Sequence, residues 1–267
     1  MCGFIVSSFG SRFEIENSGK YIEYRGPDYT GYQLFNEIHH LHKRLSIIDL
    51  SKNGNQPMFS SDGNYCITYN GEIYNFDLLR RDLLQKSYQF NSDSDTEVIL
   101  ALYKIYGIKF LNKLRGMFSF VINDKIKNCL YLARDHVGMK PLFYFIEKKN
   151  ILISSEIKPI INILKNKKFK LNNKAISEYL KYGFINKNNT IFKDIKNFEH
   201  GYYAKFDLNE YKFEKRKWFS PEFSKNTNIN INRKGIKECI RKRIQEAVEL
   251  HVISDRKVGL LLSGGLD

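Results

Sequence analysis

The chain holds 267 residues, 42% of them hydrophobic and 14% aromatic, with 43 Lys and Arg against 29 Asp and Glu and a formal charge of +14. That is enough chain to bury one large core or two modest ones, and the hydrophobic content excludes a wholly disordered or collagen-like polypeptide. No apolar run approaches the roughly 20 residues of a membrane-spanning helix, which excludes a spanning protein.

In chain order, MCGFIVSSFG has neither the basic flank nor the small-residue cleavage site of a signal peptide. Within it CGFIVSSF is a short apolar run with β-branched members, which predicts a buried strand starting at the N-terminus itself. Strand-like segments recur at 30–36, 40–48, 65–70, 117–123, 129–134, 142–146 and 151–155. Asn123-Asp124 and Lys148-Lys149-Asn150 supply turn chemistry between the later ones. Helical spacing falls at 76–86 and 95–106, with Asp95 as candidate N-cap of the second, and further helices are predicted at 156–164 and 174–182. Hairpins that build whole sheets, with helices in separate blocks, predict stacked sheets covered by helices rather than alternating βαβ units.

Residues 158–217 carry 15 Lys and Arg against 6 Asp and Glu, which is 9 of the 14 net positive charges. These lysines lie among asparagines, as in KNKKFKLNNK, and no RNP motif, helix-turn-helix signature or zinc-finger spacing accompanies them. A solvated face explains the charge, so no nucleic-acid partner is expected. Residues 220–232, SPEFSKNTNININ, are polar and aperiodic and read as a linker. Helical spacing returns over 233–252 through Ile236, Ile240, Ile244 and Val248. VGLLLSGGLD then runs from an apolar strand, expected to lack sheet neighbours, into a glycine turn. It reads as the interrupted opening of a second α/β domain.

Cys2, Cys66, Cys129 and Cys239 stand far apart with no CxxC pair, against both a zinc site and a secreted disulfide framework. A reducing, cytoplasmic compartment is the expectation. With Met1 removed, Cys2 would carry a thiol beside a free α-amine, whose reference pKa of about 7.7–8.0 lets it act as the thiol's own base. Such a nucleophile needs no catalytic histidine, only a first strand that fixes the terminus. Read singly, Cys2 is a small buried residue, Asp95 a helix cap and Asn70-Gly71 a hairpin turn. His39, His40 and His42 have no carboxylate or cysteine at ligand spacing and are expected as surface or packing residues, with no metal.

Read together, YRGPDYTGY (24–32), KRLSIIDLSKNGNQPM (43–58), YNGEIYN (69–75), SDTEVIL (94–100), GMFSFVI (116–122), LARDHVGMKPLFY (132–144) and SSEIKPI (154–160) with Cys2-Gly3 form an ordered set. The set resembles the N-terminal glutaminase domain of asparagine synthetases, a class II glutamine amidotransferase domain, and the terminal LLSGGLD resembles the start of their ATP-pyrophosphatase loop. Tyr24 departs from the family, many members of which have His there. The resemblance implies an α+β, four-layer αββα N-terminal-nucleophile hydrolase fold over 2–219, the linker at 220–232, and a truncated α/β segment at 233–267 that starts the ATP-binding domain.

By the same resemblance Cys2 attacks the carboxamide of L-glutamine, with the Asn70 side chain and the Gly71 N–H holding the oxyanion. Arg44 takes the substrate's α-carboxylate, Asp95 with Glu72 its α-ammonium, and Leu45, Ser46, Ile47 and Ile48 complete the pocket wall. Leu262, Ser263, Gly264, Gly265 and Asp267 belong to the ATP loop. Arg25 to Asp28 brace the site, and Arg134-Asp135 with Lys140-Pro141 hold the sheet core and the domain face. The glutaminase step needs no cofactor; the full-length synthetase uses ATP, Mg and L-aspartate, and a homodimer is allowed. Two other readings are kept: a family member that places the nitrogen on a sugar acid in surface-polysaccharide synthesis, and a non-catalytic basic binding module.

Overall fold

Phe4 and Val6 point into one hydrophobic layer and Ile5 into another, so the strand β1 (Gly3–Ser7) is shared by two cores. The computed structural model describes residues 2–186, 188–221 and 233–265. After β1 come α1 (Arg12–Ser18), β2 (Tyr29–Phe35), β3 (Ile38–Arg44), β4 (Met58–Phe59), β5 (Tyr65–Ile73), α2 (Phe76–Gln85) and α3 (Asp95–Tyr106). The second half adds β6 (Gly116–Asp124), β7 (Cys129–Arg134), β8 (Phe143–Glu147), β9 (Asn150–Ser154), α4 (Ile157–Ile163), α5 (Asn173–Tyr182), β10 (Lys196–Asn197), β11 (Tyr202–Asp207), β12 (Phe213–Lys217) and α6 (Arg233–His251).

The strands form two antiparallel sheets, in the orders β10-β8-β9-β1-β3-β2 and β12-β11-β7-β6-β5-β4. Between them lie Phe4, Val6, Val121, Leu130, Leu132 and Ile153. Outside the first sheet, Ile15 of α1 and Ile160 and Ile163 of α4 pack on Ile5, Leu41 and Leu152. Outside the second, Leu79 and Leu83 of α2 and the buried Val98–Tyr103 run of α3 pack on Ile67, Phe118 and Phe120. The result is the four-layer αββα, α+β arrangement.

The inter-sheet layer turns polar toward one end. His40 and His42, on the same face of β3, are fully buried, and burial holds both near pKa 3, so both are neutral. His40 Nδ1 pairs with Thr68 Oγ1 at 2.8 Å across the sheets, and His42 Nε2 with the Tyr69 carbonyl at 2.9 Å. They are packing residues that tie β3 to β5.

Several elements differ from the sequence expectation. The strand expected over 40–48 ends at Arg44, because the next backbone groups serve the site: Leu45 N–H donates to Cys2 Sγ and Ser46 N–H to Asp28. β6 runs through Asn123-Asp124, and the turn falls at 125–128 with Asn128 at φ 47°. Ser94, not Asp95, caps α3, its hydroxyl accepting from Thr96 N–H at 3.2 Å. The short α1 is fixed by a capping box between Ser11 and Glu14. The basic stretch holds the β11–β12 hairpin, where Lys205–Asp207 (2.8 Å), Lys212–Glu214 (2.6 Å) and Lys215–Glu199 pairs offset part of its charge.

Residues 258–262 form no strand: Leu260, Leu261 and Leu262 are 85%, 102% and 88% exposed. A strand needs neighbours for its N–H and C=O groups, and among the described residues this run has none. The expected linker at 220–232 lies mostly outside the described residues. Among those residues no helix is long and apolar enough to cross a membrane.

Leu132→Ala opens a cavity between the sheets and is expected to cost about 3 kcal/mol. Urea unfolding checks this, and a cost below about 1 kcal/mol would contradict the position of Leu132 in that layer.

Candidate active site

β1 begins at Gly3, which pairs with Lys43 near the end of β3, so Cys2 stands beside Arg44 and Leu45. The Cys2 carbonyl accepts from Arg25 Nε at 3.1 Å, and Arg25 is itself paired with Glu156. Cys2 Sγ lies 3.4 Å from the Leu45 N–H that donates to it. Burial raises the thiol pKa, opposed by the Leu45 hydrogen bond and the Arg44 charge. Facing it across the sheets is the second half of β5, with Asn70, Gly71 and Glu72.

A narrow cleft opens between these strands, lined by Cys2, Arg44, Leu45, Ile47, Ile48, Asn70, Gly71, Glu72 and Asp95 together with Gly54, Gln56, Tyr69, Ser94, Thr96 and Lys140. Asn70 is 1% exposed, yet neither its Nδ2 nor its Oδ1 has a hydrogen-bond partner. Burying an unpaired amide costs free energy, so an unused side chain facing a cleft beside a thiol calls for a ligand. Gly71 sits where a Cβ would stand 2.2 Å from the Met117 carbonyl of β6, so any side chain there would push the strands apart.

The guanidinium of Arg44 is buried in the loop after β3. Nη1 donates to the Ser51 carbonyl and Asn55 Oδ1, both at 2.8 Å; Nη2 donates to the carbonyls of Ile48 (3.3 Å) and Asp49. Gly54 makes room, since a Cβ there would meet Nη2 at 2.2 Å. Both terminal nitrogens therefore serve the loop, and the cleft sees the charge of Arg44. A forked contact with a carboxylate requires one of these carbonyls to give way.

Asp95 opens α3 and points into the cleft rather than capping the helix. Its Oδ2 accepts from Tyr69 Oη at 2.7 Å and Ile73 N–H at 3.0 Å. Burial pushes its carboxyl up to about 6 in spite of these bonds and of Arg44. Burial also raises Glu72, opposed by Lys140, and lowers Lys140, opposed by Glu72 and Cys2. One wall thus carries two carboxylates and the other a fixed cation, a charge pattern complementary to an amino acid's α-ammonium and α-carboxylate.

Every residue expected at the glutamine site lines this cleft except Ser46, whose N–H goes to Asp28 at 2.8 Å. Sequence reasoning missed Gln56, Tyr69 and Lys140 as site residues. Gln56 accepts from Tyr69 N–H at 2.7 Å and donates to Thr96 at 3.3 Å, joining β5 to α3. Lys140 is delivered by a loop that Asp135 gathers: its carboxylate accepts from the N–H groups of Val137, Gly138, Met139 and Lys140 at 2.6–3.1 Å. All three stand inside the QP, YNGE and MKP stretches of the ordered motif set, which was the available signal.

The ATP-loop residues lie apart from the cleft. Leu262, Ser263, Gly264 and Gly265 are exposed, with one bond from Gly265 N–H to Ser263 Oγ at 3.3 Å, and Asp267 lies outside the described residues. Among the described residues no group of three or more His, Cys, Asp or Glu stands close enough to hold a metal ion.

Cys2 just before the shared strand, an unpartnered amide opposite it and a cleft with separated charge form the arrangement expected of a glutamine amidotransferase site. In agreement, a glutamine amidotransferase domain model matches residues 1–219, and the chain belongs to that family. An asparagine synthase model matches residues 239–267. Relatives include the glutamine-hydrolysing asparagine synthetase 1 of Bacillus subtilis, 34% identical over all of this chain and 42% of that protein. Asparagine synthetase B of Escherichia coli is 32% identical over 92% of this chain and 38% of that protein. The chain thus spans about two-fifths of these two relatives. The phosphoribosylpyrophosphate amidotransferase of B. subtilis shares the N-terminal-nucleophile hydrolase fold, with a TM-score of 0.59 at 16% identity over 87% of this chain and 50% of that one.

Asp95 yields a pH-dependent stability prediction. Its folded pKa, about 6, lies above the unfolded value, so its contribution is favourable at low pH and is lost as pH rises through 6. Asp95→Asn is expected to stabilise the fold by about 2 kcal/mol at pH 8 and to change little at pH 4. Urea unfolding at the two pH values reads this; equal effects at both would contradict an ionised, buried Asp95.

Proposed function

We propose that this chain hydrolyses L-glutamine with Cys2 as nucleophile, and the unpartnered, buried Asn70 side chain opposite Cys2 is the observation that carries the reading. After Met1 is removed, the Cys2 α-amine takes the thiol proton as Sγ attacks the glutamine carboxamide carbon. Asn70 Nδ2 and the Gly71 N–H stabilise the oxyanion. Collapse of this tetrahedral species breaks the C–N bond, the amine returns its proton to the leaving nitrogen, and ammonia departs from a γ-glutamyl thioester. Water then attacks the thioester, releasing glutamate and restoring the thiol.

Recognition in this reading rests on charge. Asp95 and Glu72 take the α-ammonium, and the Arg44 wall takes the α-carboxylate, with Leu45, Ile47 and Ile48 beside it. The substrate ammonium in turn favours the ionised form of Asp95, whose pKa burial has raised.

For a longer protein containing this chain, we extend the proposal to transfer of the ammonia to L-aspartate activated by ATP, in the cytoplasm. The asparagine synthase match over 239–267 and the names of the relatives support it. The loop Leu262–Asp267 is the ATP-binding element of this proposal. Among the described residues no group of three or more His, Cys, Asp or Glu stands where Mg could be held.

Cys2→Ala is expected to abolish ammonia release from glutamine, measured by a coupled glutamate and ammonia assay. Asn70→Ala is expected to lower kcat by about 10²- to 10³-fold with a small change in KM. An Asn70→Ala protein with unchanged kcat would remove Asn70 from the oxyanion site. Because glutamine binding requires ionised Asp95, KM is expected to rise as pH falls below about 6, while Asp95→Asn has a high KM at every pH.

A further inference from the structure

The chain after α6 returns to the glutamine cleft. Asp255 N–H donates to the Ile47 carbonyl at 3.0 Å, and the Asp255 carboxylate accepts from Asp49 N–H at 2.7 Å. Arg256 Nε donates to the Ser46 carbonyl at 3.2 Å and its Nη2 lies 3.8 Å from Asp28. Ile253 packs against the apolar cluster under the second sheet. The tetrapeptide Ile253–Arg256 therefore lies along the outer side of the loop whose inner side walls the cleft.

Asp49 is the node of this contact. It sits at φ 55°, a left-handed conformation that a non-glycine residue keeps only when its surroundings hold it. Its carbonyl accepts from Arg44, the cation proposed for the α-carboxylate. Its Oδ2 accepts from Asp93 N–H at 3.0 Å, two residues before Asp95, the carboxylate proposed for the α-ammonium. Its N–H is the group that Asp255 holds. One residue thus joins the C-terminal segment to Arg44 and, through Asp93, to the start of the helix that carries Asp95.

We propose that Asp255, from the segment that matches the asparagine synthase family, is a positioning residue for glutamine: it fixes the Asp49 peptide and through it the spacing of Arg44 and Asp95. This rests on the glutaminase reading above and adds a route by which the second segment sets glutamine affinity. The contact acts on binding, because Asp255 touches neither Cys2 nor Asn70.

The test uses the 267-residue chain and steady-state glutamine hydrolysis. Asp255→Ala is expected to raise KM about five- to tenfold with kcat changed less than about twofold. Asp255→Asn keeps an oxygen that accepts from Asp49 N–H, and its KM is expected to return to within about twofold of the wild type. Arg256→Ala removes the neighbouring contact at an exposed position and is expected to raise KM about two- to threefold. An active wild type whose Asp255→Ala and Arg256→Ala variants are folded and keep its KM overturns this inference alone. A fall in kcat with unchanged KM also overturns it. A wild type that releases no ammonia overturns the glutaminase reading instead.

Discussion

Three carbonyls and one side-chain amide oxygen of a single loop converge on the guanidinium of Arg44. A buried guanidinium must satisfy its donors, and here the loop from Ile48 to Asn55 wraps around it to do so. The wrap ends β3 at Arg44, keeps Gly54 free of a side chain and brings Leu45 N–H to Cys2. It also sets Asp49 in the conformation that reaches both Asp93 and the C-terminal segment. The wall of the cleft is therefore a consequence of solvating one charge.

The opposite wall is built by a different economy. β5 is pinned to the first sheet through His40, His42 and Thr68, and to α3 through Gln56 and Tyr69. His42 and Asn123 each leave one buried atom unpartnered but pair through another, whereas Asn70 has neither its Nδ2 nor its Oδ1 paired. Leaving an amide unpaired costs about 1–3 kcal/mol, and burying the Asp95 carboxylate costs a comparable amount. Such departures from local satisfaction are what a preorganised site is made of.

The ordered motifs made the fold and most of the cleft legible. An apolar, β-branched run marked β1, strand-like segments marked β5–β9 to within a few residues, and helical spacing marked α2 and α3. The strand expected at 40–48 was too long because alternation cannot reveal that Leu45 and Ser46 spend their N–H groups on Cys2 and Asp28. Seven-residue α1 was too short for periodicity, although Ser11 and Glu14 carried its capping box. In β11 and β12 the lysines masked the alternation, because Lys205 and Lys215 are paired with acids rather than free in solvent. Asp95 looked like a cap from sequence because Ser94 takes that role one residue earlier. Gln56 joins β5 to α3 and Lys140 is carried by the loop that Asp135 gathers, so only the QP and MKP stretches marked them in the sequence.

The central claim is that Cys2 is the group a glutamine side chain meets in this cleft. A glutamine analogue with a diazoketone in place of the carboxamide, followed by peptide mass analysis, tests it most directly. The expected result is one covalent adduct, on Cys2, blocked by excess glutamine and absent from Cys2→Ala. An adduct on Cys66, Cys129 or Cys239 with Cys2 unmodified, or no adduct in a chain that releases ammonia from glutamine, would contradict it.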